Sequence, residues 1–253
     1  MSTLSPLQEK RYHRNTQLPG VGDEGQLKLL QSSVLVVGAG GLGSPAAYYL
    51  AAAGIGRLGI ADGDVVELSN LQRQILHFTA DIGRPKVMSA ADKLVALNPD
   101  CHVVTHHCAV TAENAADMVS QYDLVIDATD NFPSRFVLNK ACLVTNKPFI
   151  HAAVLSMAGR VMTILPNQGP CLRCVFREPP APSAKTTFEL GVLGATPGLA
   201  ACIQASEAIK YLLGLGDLLV NRLLIFDALA MSFEVVEVLR DTDCPDCGSG
   251  AQI

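Results

Sequence analysis

The stretch Ser33–Asp62, SVLVVGAGGLGSPAAYYLAAAGIGRLGIAD, constrains the fold of this chain more than any other. Val34-Leu35-Val36-Val37 is an unbroken apolar run, as a strand buried on both faces requires. Gly38, Gly40 and Gly43 follow at G-x-G-x-x-G spacing, with Gly41 as an extra glycine. Ser44 to Ala53 is alanine-rich and helix-compatible, with Pro45 in the first turn, where a missing N–H costs nothing. A second short strand, Arg57 to Ala61, ends at Asp62. Strand, glycine turn, helix, strand and acid in this order make a phosphate site for physical reasons. Glycines let the backbone approach an anion, and the helix start offers unpaired N–H groups and a positive dipole end. An acid at the tip of the second strand accepts bonds from ribose hydroxyls. Nucleotide binding is the favoured reading over a purely structural βαβ unit.

Gln31 to Gly56 carries no charged residue, a length that by itself suggests a membrane span. It also holds six glycines and a proline, and its apolar residues are largely alanine, so no transmembrane segment is expected. The 253 residues fit one large α/β domain over 1–253, with N-terminal helices over 1–32 and a nucleotide-binding core over 33–165. A hydrophobic content of 49% supplies a sizeable core, and 17% charged residues exclude global disorder. The net charge of −5 argues against a nucleic-acid-binding surface. Met1 to Lys10 has no apolar core, so no signal peptide is expected. Eight cysteines without one point to a reducing cytosol, where clustered cysteines hold metal more often than they form disulfides.

The N-terminal segment reads as a short helix, a Pro-Gly turn and a second helix, and Arg11 and Arg14 fit a solvated basic face. After Asp62 the polar turn Ser69-Asn70 leads into a short helix carrying Arg73, where a dehydrogenase would continue with an amphipathic helix. Lys86 opens a helix to Leu97 whose apolar positions form one face. A cation is disfavoured at a helix start, so an anionic ligand explains Lys86 better than solvation does. Asp123 to Ala128 reads as a buried strand ending near Asp130 and Asn131. Those two either face a ligand beyond the strand end or cap the helix Pro133 to Thr145. Strands are expected over Pro148–Val154 and Arg160–Leu165, joined by a turn at Ala158-Gly159. His151 reads as a packed strand residue, with no nucleophile or carboxylate beside it in sequence. Glu178 to Thr187 is the most loop-like segment, within a mobile loop over about 178–190. A small-faced helix over Pro197–Leu213 and strands over Arg222–Asp227 and Phe233–Leu239 complete the chain.

Cys171-x-x-Cys174 and Cys244-x-x-Cys247 can together place four thiolates around one ion. Four sulfurs leave no open position, so the site is expected to be a structural zinc knuckle, with iron–sulfur or redox chemistry as alternatives. Cys101, Cys108, Cys142 and Cys202 stand alone and are expected to pack as small hydrophobes.

With these pieces assembled, the chain resembles the MoeB/ThiF/HesA family, relatives of the ubiquitin-activating enzymes. The resemblance runs from Arg11 to Gly248. It rests on RYHRN at Arg11–Asn15, GAGGLGSP at Gly38–Pro45, ADGDVVELSNLQRQ at Ala61–Gln74, GRPK at Gly83–Lys86, DATDNFPSR at Asp127–Arg135 and the two cysteine pairs. It implies a Rossmann-like, doubly wound, mostly parallel sheet with C-terminal antiparallel strands. It further implies ATP-dependent adenylation of the C-terminal glycine of a ubiquitin-fold sulfur carrier ending in Gly-Gly, with release of pyrophosphate. By match to the family, Gly38, Gly40, Gly41 and Gly43 cradle the phosphates and Asp62 holds the ribose. Ser69, Asn70, Leu71, Gln72, Arg73 and Lys86 form the rest of the nucleotide site, Asp130 holds Mg²⁺, and Asn131 lies beside it. Arg14 would reach the outer phosphates from the neighbouring subunit of a homodimer.

One departure stands out. Family members that form a covalent thioester or persulfide use a cysteine shortly before a G-V-x-G segment, here Gly191–Gly194, and the matching position is Thr187. A hydroxyl cannot carry sulfur, so adenylation alone is expected. No rhodanese-like extension follows Cys247, so a separate sulfur donor is expected. The competing readings are an NAD-linked oxidoreductase and a non-catalytic carrier-binding homologue. Arg73, Lys86 and Asp130 argue against both, and the carrier's pathway (molybdopterin, thiamine or related) stays open.

Overall fold

The computed structural model describes residues 3–181 and 187–250. Its elements run α1 (Pro6–Thr16), α2 (Gly22–Gln31), β1 (Ser33–Val37), α3 (Gly43–Ala53), β2 (Arg57–Ala61), α4 (Lys86–Leu97), β3 (His102–His106), α5 (Ala115–Ser120) and β4 (Leu124–Asp127). They continue with α6 (Phe132–Val144), β5 (Phe149–Leu155), β6 (Ala158–Ile164), α7 (Leu172–Val175), α8 (Thr187–Leu190), α9 (Ala195–Leu213), β7 (Arg222–Asp227) and β8 (Ser232–Glu237). The strands form one sheet in the order β3-β2-β1-β4-β5-β6-β7-β8. The first five in that order pair in parallel, and the last three are added antiparallel. This is the expected doubly wound α/β sheet with an antiparallel C-terminal portion. Its order reverses between β1 and β4, and a crevice opens at such a point beyond the strand ends.

The central strands are apolar throughout because both faces are covered. Val34 and Val36 enter a core shared with α3, α4 and α9, while Leu35 and Val37 enter a second core shared with α5 and α6. The second core also takes in Cys171, Cys244 and Cys247. Helix α9 packs through Ala200, Ala201, Ala205 and Ala208, which let it lie close to the sheet. It also buries Gln204, whose amide donates to the carbonyls of Asp127 and Ile150 at 2.8 and 2.9 Å. Glu207 accepts from the Thr163 hydroxyl at 2.6 Å. Outermost β8 is exposed at all six positions.

Three expectations are corrected. The β5–β6 turn lies at Ser156–Met157, with Ser156 in the left-handed region (φ 56°), and Ala158 and Gly159 belong to β6. Gly159 sits there because a Cβ would approach the Phe226 ring to 2.3 Å. Arg73 follows a single 3-10 turn, Leu68–Asn70, and lies in a turn of its own rather than on a helix. The last strand ends at Glu237, two residues short of the reading from sequence. The central part of the expected mobile loop, 182–186, lies outside the described residues.

Burial has a consequence for acid stability. His77 and His151 are buried and His106 is half-buried, and burial is the main cause that holds all three imidazoles below their ordinary pKa of 6.5. Below that value the unfolded chain takes up protons that the folded chain refuses, so folding stability falls with pH. The melting temperature is expected to be flat from pH 8 to 7 and to drop progressively from pH 6.5 to 5. A melting temperature unchanged down to pH 5 would contradict it.

Candidate functional site

A cavity of about 540 Å³ opens at the switch between β1 and β4. The glycine turn forms its floor through Gly38, Gly40 and Gly41. Gly38 takes φ +99°, and a Cβ there would lie 2.5 Å from the Ala128 carbonyl oxygen, so position 38 admits no side chain. Gly43 does not line the cavity; it begins α3, where a Cβ would fall 1.8 Å from the Gly38 carbonyl oxygen. Its role is close packing of helix start against turn.

The turn is held by buried polar contacts on both sides of Ala39. The Ala39 amide donates to Asp62 Oδ2 at 2.8 Å. Its carbonyl lies 2.9 Å from His77 Nε2, and His77 Nδ1 lies 2.9 Å from Ser89 Oγ on α4. Lys93 donates to Ser89 and pairs with Asp81. Burial alone would raise the pKa of Asp81, but Lys93 and the Phe78 amide hold it well below the usual carboxylate range.

Two cations face the same space. Lys86 is only 6% exposed, and its Nζ donates to Asp64 at 2.9 Å and lies 4.0 Å from Asp62. Arg73 is half-buried and donates to the Ser69 carbonyl at 3.2 Å. Ser69 and Gln72 line the wall beside it. Asn70 and Leu71 do not: Asn70 Oδ1 accepts from the Glu67 amide at 3.2 Å and shapes the turn. Opposite, Asp130 and Asn131 are exposed at the rim, and both line the cavity. Asn131 also caps α6, accepting from the Ser134 amide at 2.9 Å. Asn131 is thus the cap of α6 and a cavity-lining residue at once. Arg14 is exposed on α1 and does not line this cavity.

Several contributors escaped the sequence reading. Asp64 binds Lys86, and Gln74 is buried beside Gly40 with no hydrogen-bond partner for its Oε1. Arg135, quoted within DATDNFPSR without a role, lines the cavity from α6. Cys108 also lines it and is half-buried, so it is not simply a core residue, and Cys202 is half-buried too; Cys101 and Cys142 are buried as expected. His151 does have a carboxylate beside it: neighbouring β4 brings Asp127 Oδ2 to 2.7 Å from its Nδ1. Parallel pairing of β4 with β5 makes that contact, which sequence proximity cannot reveal.

The four paired cysteines converge, with their sulfurs all within 4.8 Å of one another. Cys171 lies 3.5 Å from Cys244, and Cys174 lies 3.4 Å from Cys247. Such a cluster could bind a metal ion. Without a cation, burial pushes the Cys174 thiol up to about 11. Asn139 of α6 steadies the cluster, donating to Asp246 at 2.7 Å and accepting from the Leu172 amide at 2.9 Å.

A family model described as the ThiF family matches residues 12–246. The adenylyltransferase and sulfurtransferase MOCS3-1 of Zea mays is 48% identical over 243 residues, covering 95% of this chain. The match takes in 52% of that relative, so the chain spans about half its length. The sulfur carrier protein adenylyltransferase of Thermus thermophilus is 46% identical over 244 residues, covering 94% of this chain and 90% of its own. Among solved structures, E. coli MccB with MccA-N7isoASN shares the fold with a TM-score of 0.82 at 23% identity, covering 97% of this chain and 76% of that one. Among the described residues no helix is long and apolar enough to cross a membrane.

The glycine turn offers a direct check on the packing. Gly38→Ala combines a left-handed backbone with a clash against Ala128, and is expected to cost about 2–4 kcal/mol. In a chain of this size that lowers the melting temperature by roughly 5–10 °C. A variant melting with the wild type would show that the turn has room to move.

Proposed function

The chain belongs to the ThiF family, and on that premise we propose that it is an ATP-dependent adenylyltransferase acting on a ubiquitin-fold sulfur carrier ending in Gly-Gly. One observation carries this reading: the glycine turn faces Lys86 and Arg73, and Asp130 stands exposed at the rim of the same cavity. A hydride-transfer site has no use for that charge set; a triphosphate does.

The chemistry asks for positioning and charge neutralisation, since a carboxylate is already a nucleophile. A carboxylate oxygen of the carrier's terminal glycine attacks the α-phosphorus, the α–β bridging bond breaks, and pyrophosphate leaves with the electron pair. The products are acyl-adenylate and pyrophosphate. Amides of the glycine turn bind phosphate oxygens, and Asp62 binds the ribose. Ser69 and Gln72 complete the phosphate wall. Lys86 and Arg73 offset the charge that builds on the α-phosphate and leaving group. Asp130, with Asn131 beside it, would hold Mg²⁺, an oxygen-seeking ion whose charge draws the phosphates together when bound. The exposed carboxylate at the cavity rim suits that donor role.

Arg14, exposed and away from its own chain's cavity, fits a role at the outer phosphates of a neighbouring copy in a homodimer. The reading takes 1–253 as one adenylation unit, with sulfur from a separate donor, in molybdopterin, thiamine or related sulfur transfer. The four cysteines fit zinc: Zn–S bonds of about 2.3 Å in a tetrahedron place sulfurs about 3.8 Å apart, close to the separations of 3.4 and 3.5 Å across the two pairs.

ATP–pyrophosphate exchange with a panel of Gly-Gly carriers tests the activity. Wild type is expected to exchange with at least one carrier, and Asp130→Ala is expected to lose at least about a hundredfold while melting within a few degrees of wild type. No exchange with any carrier, despite ATP binding, would overturn the reading. Metal analysis is expected to return about one zinc per chain. Cys244→Ser should lower the melting temperature more than it weakens ATP binding; the reverse order would rule out a purely structural metal.

A further inference from the structure

A chain of buried side chains behind the glycine turn ends on the Ala39 carbonyl. His77 is 3% exposed and does not line the cavity, and its Nε2 lies 2.9 Å from that carbonyl oxygen. Its Nδ1 lies 2.9 Å from the hydroxyl of Ser89, which is fully buried on α4. Lys93, one turn further along α4, donates to the same hydroxyl at 2.8 Å and pairs with buried Asp81. Lys86, Ser89 and Lys93 recur at helical spacing on one face of α4, so the helix that brings Lys86 to the cavity also carries this chain.

The chain fixes which nitrogen of His77 carries the proton. A carbonyl only accepts, so Nε2 donates to Ala39. Nδ1 is then the acceptor and takes the Ser89 hydroxyl proton, while Ser89 Oγ accepts from Lys93. The reversed tautomer would set the Nε2 lone pair against the Ala39 oxygen. Burial, with the charges of Lys86 and Lys93, holds the ring below its ordinary pKa of 6.5 and so neutral at pH 7.

The orientation of one peptide follows. In a planar trans peptide the carbonyl of Ala39 and the N–H of Gly40 point in opposite directions. His77 draws the carbonyl into the protein, behind the turn, and the Gly40 N–H is thereby turned towards the cavity that Gly40 lines. Among the described residues the Gly40 and Gly41 amides donate to no acceptor of the chain. The Ser44 hydroxyl also reaches the Ala39 carbonyl, but at 3.3 Å it is the weaker donor. Without the His77 donor the 39–40 peptide is free to rotate, and a carbonyl oxygen turned into the cavity would repel an anion. We propose that His77 is the positioning residue of the phosphate site, holding the Gly40 amide on the nucleotide's phosphates by binding the Ala39 carbonyl behind it. The nucleotide as ligand comes from the adenylation reading, on which this rests.

Two substitutions separate the ring nitrogens. His77→Gln carries an amide N–H to the place of Nε2, and His77→Asn carries one only to the place of Nδ1. A non-hydrolysable ATP analogue and adenosine are titrated calorimetrically into the full chain of each variant; adenosine has no phosphate to meet the Gly40 amide. Wild type is expected to bind the analogue at least about tenfold more tightly than adenosine. His77→Asn is expected to lose about tenfold in affinity for the analogue and to keep its adenosine affinity within about twofold, with His77→Gln within about threefold of wild type for both. An Asn variant that binds the analogue as wild type does overturns the proposal. So do equal losses in the Asn and Gln variants, or an adenosine affinity that falls in step with that for the analogue. Ring-nitrogen NMR shifts of the wild type supply a check that needs no variant: the Nε2–H tautomer is expected for His77, and the Nδ1–H tautomer overturns the proposal. A wild type that binds the analogue no more tightly than adenosine removes the phosphate site and the proposal with it. Tight binding of the analogue with the expected variant pattern, but no pyrophosphate exchange, would remove the adenylation reading alone.

Discussion

The carbonyl of Gly38 occupies the space that a side chain at position 43 would need, and the centre of the molecule depends on that contact. It brings the start of α3 against the end of β1 and leaves the turn between them with no side chain at positions 38, 40 and 41. The neighbouring peptide is then fixed from two directions. Asp62 takes the Ala39 amide, while His77 and the Ser44 hydroxyl, at 3.3 Å, approach its carbonyl. Because Asp62 follows directly on β2 and α4 orients His77 through Ser89, the shape of the turn depends on where β2 and α4 are placed.

Much of this was legible because it is local. The apolar run at Val34–Val37, the glycine spacing and the acid after β2 all lie within one βαβ unit, and the helix at Lys86–Leu97 and the strand at Arg57–Ala61 fall where periodicity puts them. Lys86 stands out by its position at a helix start, where an anionic ligand is expected; the carboxylates found beside it are the chain's own Asp62 and Asp64, which the position alone does not reveal. What stayed hidden depends on pairing between distant segments. The carboxylate facing His151, the acid on Lys86 at Asp64, and the buried Gln204 and Glu207 of α9 are products of strand order and helix docking. Periodicity over Pro197–Leu213 reports a small-residue face but not that two polar side chains reach through it. The turn at Ser156–Met157 was missed for a different reason: Gly159 suggested a bend, yet it is glycine because Phe226 lies across it.

The two faces of the sheet are built differently. The face carrying α3 and α9 is closed by small residues and tied down by Gln204, which bonds the carbonyls of adjacent strands β4 and β5. The opposite face combines aliphatic residues with the cysteine cluster, and Asn139 links α6 to it through both Leu172 and Asp246. The C-terminal tail thereby becomes part of the core beneath α6.

The pairing of Lys86 with Asp64 has a consequence for selectivity. Asp64 is 76% exposed at its side chain, so in the open cavity Lys86 is capped by an anion of the chain itself, held on a short and solvated arm. On the proposed function, an incoming phosphate would have to displace that carboxylate rather than fall into a bare positive well. Such a displacement would favour a ligand that also satisfies the amides of the turn and so offsets the broken pair. Stray polyanions, which offer charge without that fit, meet a lysine that already has its counter-ion.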